Sequence, residues 1–269
     1  MFVDFHNHTK MCCHAAGEME EYVLAAIARG ISIFGFAGHS PWMIQDGPKM
    51  ALAYDEVPIY LDLVAGLQQK YSSGPDARIQ IRLGMEMDYV PDRIEYPRRY
   101  LKQIDFDYVI GSVHHIGTWG FDQDTQLDPF HKTPVRLIYE RYFALLKEMI
   151  ATGLFNIVGH IDLVKKFGHF PETGWDDIQE DVAAALGQSD MVVELNTSGL
   201  DKPVHEFYPG ITFLKRLRKH NVPVTLGSDS HHPREVGRHF KEAAALLHEV
   251  GYTEIMTFEK RKLKAVPIP

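Results

Sequence analysis

The segment Gly227 to His232, GSDSHH, stands at the end of the apolar run Val222, Val224, Leu226, so Asp229 and His231 leave a strand end two residues apart. Side chains at that spacing reach one face of an extended chain and can share an ion. Asp-x-His alone is weak, because Asp and Ser favour turns and an exposed imidazole is usually solvated. The pattern recurs, however. The run Met1 to Phe5 ends in His6-Asn7-His8, with His14 close behind. Further strand-like runs deliver His39, Glu86, His114 and His160 in turn. The set comprises seven imidazoles and two carboxylates, more than one ion can use and enough for two or three. Imidazole and carboxylate without thiolate suit zinc, manganese or iron. A carboxylate such as Glu86 can bridge two ions and leave water or hydroxide between them as a nucleophile.

Short apolar strands must position these groups, and they alternate with amphipathic helices, the pattern of crossover units and a parallel sheet. Seven strands are expected, ending near Phe5, Ala37, Met85, Val113, Val158, Leu195 and Gly227. Helices are expected over 18–29, 55–71, 93–103, 135–151, 175–187, 213–220 and 234–250, before an extended tail over 254–258. In α/β barrels and open parallel sheets, functional groups gather at the C-terminal strand ends, which is where eight of the nine donors fall, with His14 close behind the first. With no Pro- or Gly-rich linker, the 269 residues read as one domain, 1–269. The loop from Pro41 to Leu52, which carries Trp42 and Met43, reads as a lid over a site or as a plain irregular connection.

Composition narrows the function. A hydrophobic fraction of 45% with 24% charged residues is that of a soluble globular protein. No apolar run is long enough to span a membrane, and Asp4 comes too early for a signal peptide, so the chain reads as cytoplasmic. The only cysteines, Cys12 and Cys13, are adjacent and cannot staple distant segments; packing is their expected role, with metal ligation the alternative. A net charge of -8 without a basic stripe argues against a nucleic-acid partner. Lys260-Arg261-Lys262 reads as a solvated C-terminal face. The anomalous count is 15 histidines, which invites a metal. No segment specifies an oligomeric state.

In order along the chain, DFHNHT, GHS at His39, GMEMDY around Glu86, GSVHH, GHID and GSDSH resemble the motifs of the polymerase and histidinol phosphatase (PHP) family. The resemblance implies an α/β fold, a distorted seven-stranded (β/α) TIM-like barrel, with a three-metal centre at the C-terminal mouth of the strands. It implies His6, His8, Glu86 and Asp229 on one ion, Glu86, His114 and His160 on a second, and His14, His39 and His231 on the third. The segments GSVHHIGTWGFD, GHIDLVKKFG and VELNTSGLDKP are most similar to the family's stand-alone phosphatase branch, which implies hydrolysis of L-histidinol phosphate in histidine biosynthesis. One departure is His115, where that branch more often carries an apolar aromatic residue.

The chemistry so implied is in-line attack on a small phosphate monoester by a metal-bridging hydroxide, with no phosphoenzyme. Glu86 would be the bridge, and a metal-bound water, Asp229 or His231 would protonate the leaving oxygen. By position, Lys165, Asn196, Lys202 and Arg234 are the candidate substrate grips, against the alternative that the cations are solvated. Asp122, Asp124 or Glu206 could meet the substrate amine, and Trp42, Trp119 or Phe121 its ring. Three rivals remain: another phosphoesterase of the family, acting on phosphotyrosine or nucleic-acid ends, an amidohydrolase-type metal hydrolase, and a His-rich metal store. The second typically places a carbamylated Lys where this chain has His114. The third seldom scatters its ligands one strand at a time.

Overall fold

The computed structural model describes residues 1–41, 50–75 and 77–269. Its elements run β1 (Phe2–Asp4), α1 (Met19–Ala28), β2 (Ile31–Phe36), α2 (Val57–Tyr71), β3 (Gln80–Leu83), β4 (Glu86–Asp88), α3 (Glu95–Tyr100) and β5 (Ile110–Ser112). A small hairpin, β6 (His115–Ile116) and β7 (Trp119–Gly120), precedes α4 (Asp128–Lys132), α5 (Val135–Ala151), β8 (Ile157–Val158), α6 (Asp176–Leu186) and β9 (Val192–Asn196). The chain ends with α7 (Ile211–Lys219), β10 (Val224–Gly227), α8 (Phe240–Val250), β11 (Glu254–Glu259) and β12 (Lys262–Pro267). Among the described residues, no helix is long and apolar enough to cross a membrane.

The strands that carry the donors are parallel and fall into two sheets, β1-β2-β3 and β10-β9-β8-β5-β4. Their edges touch on both sides. Phe5 N donates to Leu226 O (3.1 Å) and His8 N to Ser230 O (2.9 Å), which brings β1 beside β10. On the other side, His39 and Glu86 form a parallel bridge, which brings the end of β2 beside β4. All five residues of β9 and all four of β10 are buried, as befits parallel strands covered on both faces.

The strand expected to end near Met85 stops at Leu83 as β3, and β4 starts at Glu86 in the other sheet. Tyr108 explains the break: its hydroxyl donates to Phe5 O (2.6 Å) and Phe36 O (3.0 Å), pinning β1 to β2 from inside. A Cβ on Gly84 would lie 2.2 Å from the Tyr108 ring, so the chain turns there on a residue without one.

Helix α5 forms where its pattern says it should. Ile138, Tyr139, Tyr142, Phe143, Leu146, Met149 and Ile150 line one buried face. Each such side chain contributes roughly 1.5–3 kcal/mol on burial, and Leu146→Ala would cost about 2–5 kcal/mol. Helix α1 starts on a reciprocal pair in which the Glu18 side chain meets the Glu21 backbone and the reverse.

Three expectations are corrected. The helix expected from Arg234 begins only at Phe240, because Gly237 and His239 have positive φ (64° and 56°) and Gly237 N donates to Asp4 Oδ2 at 3.0 Å. The tail is a hairpin, with Glu254 opposite Pro267 and Glu259 opposite Lys262. Arg261 sits in its turn at φ 62° and is only partly exposed, its Nε donating to Asn156 Oδ1 (3.0 Å), whereas Lys260 and Lys262 are exposed as expected. The lid assignment falls largely on residues 42–49, Trp42 and Met43 included, which lie outside the described residues.

Candidate metal centre

His6-Asn7-His8 continues β1 in extended form, so both imidazoles share a face while Asn7 points the other way, donating to Gly35 O (3.0 Å) and accepting from Ser230 Oγ (2.5 Å). Two donors sit on left-handed backbone, Asp229 at φ 49° and His160 at φ 21°. Such conformations cost roughly 1–3 kcal/mol each and persist where surrounding contacts hold them.

All nine donors expected at the strand ends meet in one place. Four sets have ligand atoms within 4.8 Å of one another: His8, His14, His39 and His231; His6, Glu86 and His160; His6, His8 and Asp229; His39, Glu86 and His114. Glu86 is the hub. Its Oε2 lies 3.2 Å from His6 Nε2, 3.6 Å from His8 Nε2 and 3.0 Å from His39 Nδ1, while Oε1 lies 3.1 Å from His160 Nε2 and 3.5 Å from His114 Nε2. Asp229 Oδ1 approaches His8 Nε2 at 3.2 Å. His6, His8, His39 and Glu86 each fall in two sets, so the grouping overlaps more than the expected ligand sets, which shared Glu86 alone.

Most of the residues that orient these ligands were not singled out by sequence. Glu194 Oε1 accepts from His6 Nδ1 at 2.8 Å, and Asp88 Oδ1 from His114 Nδ1 at 2.6 Å. Backbone carbonyls do the same elsewhere: Cys12 O for His14 Nδ1 (2.7 Å) and Asp229 O for His231 Nδ1 (3.0 Å). Each bond puts the ring proton on Nδ1 and turns the Nε2 lone pair toward the centre, as metal-ligating histidines require. Glu194 was legible as a charge inside the buried run VVELN, and Asp88 as the second acid of EMD. Asn196, expected as a substrate grip, instead donates to Glu194 Oε2 (3.1 Å) and Asp229 Oδ2 (3.4 Å). Cys12 is buried and accepts from His39 N at 3.3 Å, a packing role.

The electrostatics follow from burial without a cation. Burial opposes charge on His6, but Glu194, Glu86 and Asp229 outweigh it and hold the imidazole well above its usual range. Burial likewise opposes charge on His114, yet Asp88 and Glu86 raise it to about 10. Where no carboxylate dominates, burial wins: His39 falls to about 3, His231 to about 4, and His8 lies well below its ordinary value, with His231 and His39 adding to the effect. Glu86 and Asp229 are held well below the carboxylate range, since the surrounding imidazoles overcome their burial.

The donor set fits divalent ions. His6 Nε2 and Glu86 Oε2 are buried without a hydrogen-bond partner among the described residues, although they lie 3.2 Å apart. His114 Nε2 and His160 Nε2 face each other at 3.3 Å. Lone pairs converging in this way need a cation among them.

The centre opens into a cleft of about 870 Å³. Of the expected substrate grips, Lys202 lines it. Lys165 does not: it is fully buried, with its Nζ 3.0 Å from Asp162 Oδ2, 2.7 Å from Glu206 Oε2 and 2.9 Å from Phe207 O. Arg234 is exposed and off the cleft wall, and Arg238 lines it instead, spending its guanidinium on Ser228 O (3.0 Å) and Asp229 O (2.9 Å). Lys166 was missed; it lines the cleft and holds Asp122, donating to its carbonyl at 2.6 Å. Asp122 and Asp124 line the wall, whereas Glu206 is taken by Lys165. Trp119 and Phe121 pack with each other and with Phe130 and Tyr142, away from the wall, where Phe167 and Tyr208 stand instead.

The PHP domain model matches residues 4–198. A probable histidinol-phosphatase of Deinococcus radiodurans is 35% identical over 262 residues, covering 97% of this chain and 98% of its own. A histidinol-phosphatase of Lactococcus lactis is 25% identical over 268 residues, covering 97% and 96%. The fold is similar to that of a solved histidinol phosphate phosphatase from Lactococcus lactis, complexed with zinc, L-histidinol and phosphate, with a TM-score of 0.82 at 23% identity over 98% of each chain. With the motifs, the clustered donors and a full-length relative in agreement, the chain belongs to the PHP domain family.

Proposed function

We propose that the chain is a metal-dependent phosphomonoesterase that hydrolyses L-histidinol phosphate to L-histidinol and phosphate, a cytoplasmic step of histidine biosynthesis. The observation that carries this reading is the convergence of seven imidazoles and two carboxylates, all but the fully buried His6 lining a cleft of small-molecule size. The names of relatives that match end to end, and the zinc, L-histidinol and phosphate held by the Lactococcus lactis enzyme, support the substrate. As ligands we assign His6, His8, Glu86 and Asp229; Glu86, His114 and His160; and His14, His39 and His231, for three divalent ions of zinc, manganese or iron. The contacts that join the two sheets at both edges support one distorted seven-stranded barrel, counting β3 and β4 as one broken strand, and one domain over 1–269.

When bound, such ions supply Lewis acidity to the phosphoryl oxygens and acidify the attacking water. The chain's own residues do the rest. Glu194 and Asp88 fix the His6 and His114 tautomers. Ser198 Oγ (3.2 Å) and Asn196 Nδ2 (3.4 Å) hold Asp229 Oδ2, which leaves Oδ1 for the centre. On the wall, Lys202 attracts the phosphate, Asp124 attracts the substrate ammonium while Asp122 is paired with Lys166 (3.3 Å), and Phe167 offers a face to the imidazole. The test is exhaustive chelation followed by readdition of one metal at a time: activity should vanish and return, and full activity in protein shown to be metal-free would overturn the proposal.

A further inference from the structure

Tyr208 lines the cleft, yet its side chain is fully buried and its hydroxyl has no hydrogen-bond partner among the described residues. A buried phenol is normally paired, because leaving it unpaired forfeits its hydration without return. The surroundings hold this one in place. Tyr208 and Asn196 exchange backbone hydrogen bonds (2.7 and 3.1 Å), tying the segment to the end of β9, whose Asn196 reaches Asp229. Lys165 binds Phe207 O at 2.9 Å and stands 5.6 Å from the centre of the Tyr208 ring. Gly199 lets the ring approach closely: a Cβ there would lie 2.9 Å from its Cε2. The ring is therefore pinned while its one polar atom is uncommitted.

We propose that the Tyr208 hydroxyl is a substrate-binding group that donates a hydrogen bond to a phosphoryl oxygen in the cleft. Burial and the charges of Asp162, Asp229, Asp122 and Glu206 all oppose its ionisation, so the phenol keeps its proton and serves as a donor. The phosphoryl group is the anionic part of the substrate and the natural acceptor. Lys165 then becomes a positioning residue: the cation that does not reach the wall stiffens a side chain that does.

This inference rests on the phosphomonoesterase reading, and the experiment separates the two. Tyr208→Phe keeps the ring and removes the donor. Metal-loaded wild type and variant are titrated with inorganic phosphate by calorimetry, and kcat and KM are measured with p-nitrophenyl phosphate and L-histidinol phosphate. Phosphate affinity and kcat/KM should each fall by roughly tenfold to a hundredfold, as for loss of one hydrogen bond to a charged group. The loss should be the same for both esters, because the bond is to their shared part. Metal content should not change, and Tm should stay or rise, since an unpaired buried hydroxyl is removed. Unchanged phosphate affinity overturns the assignment, as does a fall in Tm and metal content together, which would mark a structural role. If wild type binds phosphate but hydrolyses neither ester, the enzymatic reading falls and Tyr208 is judged on phosphate affinity alone. If wild type binds no phosphate, both fall.

Discussion

Asp88→Asn removes one negative charge and almost no volume, and its effect can be worked from two distances. Asp88 Oδ1 lies 2.6 Å from His114 Nδ1, and His114 Nε2 lies 3.5 Å from Glu86 Oε1. The carboxylate can only accept, so it fixes the proton on Nδ1 and leaves Nε2 as a ligand. An asparagine can also present its amide N–H to Nδ1, which moves the ring proton to Nε2, where it points at the cation site. A hydrogen bond to a charged group is worth about 1.5–3 kcal/mol, or roughly tenfold to a hundredfold in affinity, and loss of such a supporting carboxylate typically weakens a metal by the same factor. Calorimetric titration of metal-stripped protein should therefore show one class of site weakened by that amount, with kcat falling alongside. The ions assigned to the His8, His14 and His231 side should bind as before, since Asp88 contacts none of these residues. Wild-type affinity at every site would refute the role given to Asp88, and uniform weakening would point to general destabilisation.

Glu86→Gln keeps the size of the hub but removes the charge that holds two cations close together; kcat should fall by roughly a hundredfold or more with loss of at least one ion, and near wild-type kcat and metal content would remove Glu86 from the centre. In metal-free protein, His8, His39 and His231 have depressed pKa values, so the unfolded chain takes up their protons first and stability falls as pH drops below about 6.5. His6 and His114 have raised values, so their contribution is complete below about 6.5 and is lost as pH rises, that of His114 as pH approaches about 10. Tm of chelated protein should accordingly peak near neutrality, and metal loading should abolish the alkaline decline; a chelated protein that gains stability steadily from pH 6.5 to 9 would contradict this. Lys202→Ala should raise KM for a phosphate ester with little change in Tm, and an unaltered KM would return Lys202 to the solvated surface.

Much of this was legible because the strand-end donors are a property of spacing. A residue that follows an apolar run is delivered to the sheet's rim whatever the details of the run, so His6, His8, His39, Glu86, His114, His160, Asp229 and His231 could be placed before any register was known. Helix α5 was legible for a similar reason, its seven buried side chains recurring at helical spacing over 135–151. What sequence hid depended on contacts between distant segments. Tyr108, inside the sheet, breaks the third strand; Asp4, by accepting from Gly237, delays the last helix; Asp162 and Glu206 draw Lys165 inward, away from the wall. Asp88 and Glu194 looked like ordinary strand acids until their partners were seen. A cation near a rim is not thereby a substrate contact: Lys166 and Lys202 line the cleft, and the neighbouring Lys165 does not.

The proposed metal centre serves one small phosphate ester. Phosphate release from L-histidinol phosphate and from p-nitrophenyl phosphate, measured on one metal-loaded preparation of known metal content, tests it most directly. kcat/KM should be about a hundredfold higher for L-histidinol phosphate, equivalent to about 2.7 kcal/mol of differential transition-state binding, and both activities should be lost on chelation. Equal efficiencies with the two esters, or hydrolysis of neither by the metal-loaded protein, would contradict it.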